Sequence, residues 1–407
     1  MNTPNIRFKG YTDAWEQRKL DSLCDLFTDG DWIESKDQSV DGVRLIQTGN
    51  VGITEYVDKE NSKKWISEDT FDRLRCEEVF PGDILISRLP EPAGRACIMP
   101  DIGTRMITAV DCTIVRTSKN CNNKYLVQYL STPEYFKKVN SFLGGGTRQR
   151  ISRGNLSEIQ VPMPQDIEEQ IKIGEYLTNL DNLIAIHQRK CDDLQEVKKY
   201  MLQKLFPQNG AKIPEIRFAG FTGEWVQRKL RDLAEVNPKS VVPEEFEYVD
   251  LESVVGTEII SHRTESKESA PSRAQRLAKA GDVFYQTVRP YQKNNCLFEG
   301  AEESYVFSTG YAQLRPHGDS YLLLTMLQRD DFVNNVLDRC TGTSYPAINA
   351  NVLADLTISY PEDVHEQKKI GDHFKNLDNL IALQQRKCDD LQEVKKYMLQ
   401  NMFPQGK

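Results

Sequence analysis

Side chains able to touch nucleic acid gather in two stretches of this chain that hold no acidic residue. Tyr135 to Ser157 carries Lys137, Lys138, Arg148, Arg150 and Arg153 around the glycine run Gly144 to Gly146, with Thr147 directly after the glycines. Tyr285 to Phe298 carries Gln286, Arg289, Tyr291 and Lys293, followed by Asn294 and Asn295. Arg, Lys, Gln and Asn reach base edges in a major groove or neutralise phosphates, and a good bidentate pair discriminates between bases by about 1–3 kcal/mol. Arg88, just beyond Pro81-Gly82-Asp83-Ile84-Leu85, and Thr343, Ser344, Tyr345 and Asn349, just beyond Gly342, complete the set of candidate contacts. The competing reading of any one such run is a solvated loop. Glycine-rich loops also hold phosphates, but G-x-x-x-x-G-K-[ST] is absent from both stretches.

Residues for catalysis are not arranged in any recognisable way. The five histidines form no H-E-x-x-H, and there is no G-x-S-x-G elbow. Phe8-Lys9-Gly10 and Phe218-Ala219-Gly220 lack the second glycine of a methyltransferase cofactor loop, and neither Asn-Pro-Pro-Tyr nor Asp-Pro-Pro-Tyr occurs. Asp192-Asp193 and Asp389-Asp390 read as solvated faces of helices rather than metal ligands. The nine cysteines include no C-x-x-C, which argues for reduced thiols and against a zinc ribbon or a disulfide framework. No metal site is expected.

The elements that must position the candidate contacts come from a repeat. Leu180 to Gln208 and Leu377 to Gln405 are the same sequence except at Ile186/Leu383, His187/Gln384, Lys204/Asn401 and Leu205/Met402, at the offset of 197 that separates Cys191 from Cys388. A second repeat opens each half: Ile6-Arg7-Phe8, Trp15 and Gln17-Arg18-Lys19-Leu20 recur as Ile216-Arg217-Phe218, Trp225 and Gln227-Arg228-Lys229-Leu230. Between these frames lie two inserts, about Asp21 to Pro162 and Asp232 to Pro361, whose sequences are largely different. A solenoid repeats every 20–50 residues or so, whereas this is the duplication of a domain with its helix.

Apolar residues in the second frame recur by fours and threes from Ile173 through Leu177, Leu180, Ile184, Cys191, Leu194 and Met201 to Leu205, interrupted by His187 and Lys198. That is a heptad seam, and its repeat from Ile370 to Met402 predicts two long helices that pack against each other, with starts near Pro164 and Pro361 and ends at Pro207 and Pro404. Lys198 and Lys395, and His187 and Gln384, polar at seam positions, are expected to set register. Each insert reads as a mixed α+β domain. Strands are expected at Arg44 to Thr48, Asp83 to Ser87 and Cys112 to Arg116, and at Tyr248 to Leu251, Asp282 to Tyr285 and Val306 to Leu314. One helical stretch is expected in each, Lys124 to Val139 and Ser320 to Leu337. Gly82-Asp83 and Gly281-Asp282 are matching landmarks, with Arg88 or Arg289 soon after.

The 407 residues thus divide into 1–162, a first insert domain; 163–210, a first long helix; 211–361, a second insert domain; and 362–407, a second long helix. With 39% hydrophobic residues, no apolar run near the 20 or so residues of a membrane span, and no signal-peptide core in Met1 to Gly10, a folded cytoplasmic protein without a membrane partner is expected. The net charge of -8 taken alone argues against a nucleic-acid partner, but net charge does not locate the charges.

The combination of Ile-Arg-Phe openings, Gly-Asp-hydrophobic segments, Gly-Thr loops and near-identical helices carrying Gln188-Arg189-Lys190 and Gln385-Arg386-Lys387 resembles the DNA specificity subunit of type I restriction-modification systems over nearly the full chain. The resemblance implies an α+β protein in which two mixed α/β target recognition domains are separated by two long conserved helices forming an antiparallel coiled coil, with a pseudo-twofold internal repeat. Each recognition domain would read one half of an asymmetric bipartite site on double-stranded DNA. The helices would set the spacer and dock two modification (methyltransferase) subunits, with restriction/motor subunits joining outside. It further implies a chain that is not itself an enzyme and binds no cofactor, with S-adenosylmethionine, ATP and Mg²⁺ on partner subunits. The alternatives are a stand-alone methyltransferase or nuclease, for which the cofactor and metal motifs are missing, and a scaffold whose inserts bind protein. Many relatives have Ser-Arg after the Gly-Asp-hydrophobic segment; the first insert keeps Ser87-Arg88, whereas the second has Gln286-Thr287-Val288-Arg289.

Overall fold

The computed structural model describes residues 3–144, 149–208, 210–300, 304–342 and 344–404. The chain folds as two compact units, Met1–Gln188 with Arg386–Lys407, and Arg189–Gln385. The units cut across the segments expected from sequence, because each long helix, Ile167–Lys204 and Val364–Asn401, begins in one unit and ends in the other.

In unit 1 the opening frame becomes a strand, Glu16–Lys19, paired antiparallel with Gln160–Met163 at the end of the insert. Two four-stranded sheets lie between them. One is antiparallel in the order Cys24–Asp29, Cys112–Thr117, Ile84–Ser87, Ala96–Ile98; the other runs Gln38–Ser39, Lys64–Ile66, Val43–Ile46, Met106–Thr108, with its last pair parallel. Unit 2 repeats the strand pair and the antiparallel sheet from dissimilar sequence, while its second sheet has the parallel pair in the middle, with an edge strand, Ala274–Leu277, beyond it. Val226–Lys229 pairs with Thr357–Tyr360; one sheet runs Ala234–Val236, Tyr311–Pro316, Val283–Gln286, Cys296–Leu297, and the other Arg263–Ser266, Glu245–Val249, Tyr305–Ser308, Ala274–Leu277.

Each expected helical stretch is two helices. Thr132 caps the second one in unit 1, accepting from the Tyr135 N–H at 3.2 Å, and Pro133 at the first helical position ends Asn123–Tyr129 before Pro133–Ser141 begins. In unit 2, Ser320–Leu327 and Asp330–Leu337 meet at Gln328 and Arg329, with Asp330 and Asp331 favouring the positive end of the second helix. The expected strand Val306 to Leu314 is likewise two strands, Tyr305–Ser308 and Tyr311–Pro316, turned at Thr309 and Gly310.

The Gly-Asp landmarks are elements of the fold. Gly82 and Gly281 take φ of 96° and 92°, a left-handed conformation that favours glycine. The following carboxylates are buried: Asp83 accepts from the Phe80 N–H at 2.8 Å and from Arg116 Nε at 2.9 Å, and Asp282 from the Lys279 N–H at 2.9 Å and Arg315 Nε at 2.8 Å. The arginine in each case lies on the neighbouring strand, so the landmark pins the start of one sheet strand to another.

The duplicated frames clamp the helices. Arg7 grips the buried carboxylate of Glu169 through Nε at 2.6 Å and Nη2 at 2.9 Å, and Arg217 grips Glu366 at 2.6 and 2.8 Å. Trp15 packs edge-on to Tyr125 and Phe403, and Trp225 edge-on to Phe206. The Ile6 N–H donates to the Asn401 carbonyl at 2.9 Å and the Ile216 N–H to the Lys204 carbonyl at 3.0 Å, satisfying carbonyls that a helix end leaves open. In unit 1 the helices pair through Asp181 with Lys395 and Gln188 with Cys388; in unit 2 through Cys191 with Gln385 and Lys198 with Asp378. One number rises as the other falls, so in each unit the pair is antiparallel. The seam residues Ile173, Leu177, Leu180 and Cys191 are buried, as are Ile370, Phe374, Leu377 and Cys388.

Candidate nucleic-acid interface

In unit 1 the segment that follows strand Ile84–Ser87 is built around Arg88. Its side chain is only 7% exposed; Nη2 donates to the Val110 carbonyl at 2.6 Å and Nε lies 3.3 Å from Asp29. Its N–H donates to the Asp111 carbonyl at 2.9 Å, and its own carbonyl accepts from the Ile151 N–H at 3.2 Å. Arg88 therefore joins three segments of the fold. Arg150 and Arg153 are exposed, yet each faces a carboxylate, Asp111 at 3.7 Å and Asp29 at 4.0 Å. Paired backbone bonds of 3.2 and 3.0 Å between Gly144 and Arg150 close the glycine loop. Thr147 and Arg148, the expected contacts within that loop, lie outside the described residues.

Lys138 is half-buried and donates to Tyr129 Oη at 3.0 Å and the Gln160 carbonyl at 2.9 Å; burial pushes its pKa below the usual lysine value. Lys137, one residue earlier on the same helix, is exposed. Arg95 drew no attention in the sequence but organises this end of the domain: its guanidinium donates to the carbonyls of Val51, Thr48, Leu89 and Pro92 at 2.6 to 3.0 Å. It follows a turn and sits just before a strand, a signal too common to have singled it out.

Unit 2 solves the same problem with different atoms. The Thr287 N–H donates to the Gly310 carbonyl at 2.9 Å and its carbonyl accepts from the Ile348 N–H at 3.0 Å, the bonds that Arg88 makes in unit 1. The counterpart of Arg88 is thus Thr287, and the expected match between Arg88 and Arg289 is corrected: Arg289 lies two residues beyond it. The Thr287 hydroxyl donates to the Gly310 carbonyl at 2.7 Å, holding locally what the long Arg88 side chain holds in unit 1.

Arg289 takes φ 54° and ψ 54°, and its N–H donates to the Pro346 carbonyl at 2.7 Å. Its guanidinium carbon lies 4.4 Å from the centroid of the Tyr345 ring, which is 63% exposed. Gln286 is 2% exposed; its N–H donates to Asn295 Oδ1 at 2.8 Å and its Nε2 to Gln292 Oε1 at 2.9 Å, while its Oε1 has no partner. Gln286, Arg289, Gln292 and Tyr345 line a cavity of about 360 Å³. Lys293 instead pairs with Asp330 at 2.5 Å, and the Asn349 side chain caps a short helix by accepting from the Asn351 N–H at 2.8 Å. Tyr291 and Ser344 are exposed; Thr343 lies outside the described residues.

The structure brings Arg88, Arg150 and Arg153 together around two acids, and Gln286, Arg289 and Tyr345 together around one cavity. Lys138, Lys293 and Asn349 are engaged by neighbouring groups. Among the described residues no group of three or more His, Cys, Asp or Glu could hold a metal ion, and no helix is long and apolar enough to cross a membrane.

The family model of the type I restriction modification DNA specificity domain matches the chain twice, over residues 12–198 and 189–393. The two matches meet within the first long helix, where unit 1 gives way to unit 2. The type I restriction enzyme MjaVIII specificity subunit of Methanocaldococcus jannaschii is 24% identical over 309 residues, 71% of this chain and 71% of that protein. The HindI specificity subunit of Haemophilus influenzae is 21% identical over 162 residues, 38% of this chain and 35% of that one. The crystal structure of a type I restriction-modification S subunit from M. genitalium shares the fold, with a TM-score of 0.66 at 14% identity and full coverage of both chains.

Proposed function

Because the chain belongs to the family of type I restriction-modification DNA specificity subunits, we propose that each of its two units reads one half of an asymmetric site on double-stranded DNA. The observation that carries this reading is the contrast within the duplication. Frames, most sheet strands and helices recur, whereas the loops around the ends of the antiparallel sheets differ, presenting Arg150 and Arg153 in one unit and Arg289 and Tyr345 in the other. A repeated scaffold with unlike reading loops suits two unlike half-sites.

The long helices carry the partners in this reading. Leu183, Ile186, Val394 and Tyr397 are exposed on the helix pair of unit 1, and Val197, Tyr200, Leu380 and Leu383 repeat them in unit 2. All occupy the two heptad positions that flank the seam on one side, so each unit offers an apolar strip to a modification subunit. The chain itself is non-catalytic; S-adenosylmethionine, ATP and Mg²⁺ belong to the modification and restriction/motor subunits.

The test is sequencing of methylated DNA from a host carrying this chain with its modification subunits, before and after exchange of residues 232–361 for those of a relative. One half of a bipartite motif should change and the other stay. A motif that is not bipartite, or one unaltered by the exchange, overturns the reading.

A further inference from the structure

We infer that Arg289 reads a G·C base pair in the half-site of unit 2, with Tyr345 as the residue that positions it; this rests on the proposed function. Arg289 and Lys293 both take a left-handed backbone, φ 54° and 55°, on either side of the short turn Pro290–Gln292. Such a conformation is disfavoured for residues with a Cβ and persists where surrounding contacts impose it, here the bond from the Arg289 N–H to the Pro346 carbonyl at 2.7 Å. The turn aims the two cations differently. Lys293 is held by Asp330, whereas no carboxylate pairs with Arg289 among the described residues.

Tyr345 comes from the loop closed by the paired Thr341 and Ala347 backbone bonds, and the Arg289 guanidinium carbon lies over its ring at 4.4 Å from the centroid. The contact with the ring restrains the guanidinium, and its N–H groups have no partner among the described residues, so its fork can donate to guanine N7 and O6 together. Gln286 lines the same cavity, with its Oε1 buried. A G·C pair presents two acceptors, N7 and O6, on guanine in its major groove, so paired donors from Arg289 complement it. In unit 1 Arg88 matches Thr287, and the position two residues beyond it, where unit 2 has Arg289, is Pro90, so this reader is particular to unit 2.

The test uses the complex with its modification subunits and duplexes that vary at each position of the site. Arg289→Ala and Arg289→Lys should each lower the preference for G·C at one position of one half-site by about ten- to a hundredfold, leaving the other half-site unchanged. Tyr345→Leu should weaken the same preference and Tyr345→Phe restore it. If Arg289→Lys preserves the preference, or Arg289→Ala weakens all sequences alike and lowers the salt slope by about one, Arg289 contacts phosphate and the inference fails. Unchanged thermal unfolding of the variants separates these outcomes from misfolding. A wild-type complex without any bipartite preference would instead overturn the underlying function.

Discussion

Tyr321 Oη donates at 2.7 Å to Asp378, the carboxylate that Lys198 of the other long helix grips at 2.5 Å. In unit 1 Lys395 grips Asp181, and there the insert supplies Gln128, whose Nε2 donates to Asp181 at 2.7 Å. The ion pair between helices is the same in both copies, while the group that ties it to the recognition domain differs. Register of the helix pair and seating of the domain thus meet at one carboxylate per unit.

Asp181→Ala should therefore destabilise unit 1 by about 1–3 kcal/mol, since it leaves Lys395 without its carboxylate and Gln128 without its acceptor in partly buried surroundings. Urea unfolding measures the loss. In a double-mutant cycle with Lys395→Ala the coupling should be near 1 kcal/mol; a coupling of zero would mean that solvent screens the pair.

Arg88→Ala should act on stability rather than on sequence preference. It removes the donor to the Val110 carbonyl and the cation beside Asp29, a loss of about 1–3 kcal/mol. The melting temperature should fall while the methylated motif stays as it was. A changed motif in a stable variant would place Arg88 at the DNA.

Gly174→Ala offers a test of sign. Ala favours an exposed helix by about 1 kcal/mol over Gly, so propensity alone predicts stabilisation. A Cβ at Gly174, however, would stand 2.6 Å from the Tyr125 backbone nitrogen, and at the repeated position, Gly371, it would meet the Asp319 carboxylate. The long helix would have to move off the domain, and we expect a net loss of about 1–3 kcal/mol by thermal unfolding.

His373 gives unit 2 a pH dependence that unit 1 lacks at this place. Burial against Phe218 and Phe374 lowers its pKa below the ordinary value of about 6.5, and its Nε2 has no partner; the repeated position in unit 1 is Tyr176. The unfolded chain takes up the proton first as pH falls. The contribution of the neutral ring is therefore complete above pH 6.5 or so and is lost as pH drops through the folded value. His373→Tyr should flatten the acid side of the unit 2 stability profile, and an unaltered profile would assign that slope to other groups.

Much of the scaffold was legible because its signals are periodic. The four-three seam from Ile173 to Leu205 needs only a spacing rule to be read as a long helix, and its near-identical copy needs only a comparison of the chain with itself. Boundaries were less legible where a single residue decides them, as at Pro133 or at the turn of Thr309 and Gly310, since a cap or a turn is a local hydrogen bond rather than a pattern.

Charge was the least legible. The acid-free run from Tyr135 to Ser157 reads as basic along the chain, yet Asp29 from a strand and Asp111 from a turn come across to face Arg153 and Arg150. The sequence by itself determined the duplication, the helix seam and the two unlike inserts, because those properties depend on spacing along one dimension. Which cations bind the fold together and which face outward was decided only by tertiary structure. Arg88 holds Val110 while Arg289 lies over the Tyr345 ring, because strand register brings together groups that distance along the chain does not relate.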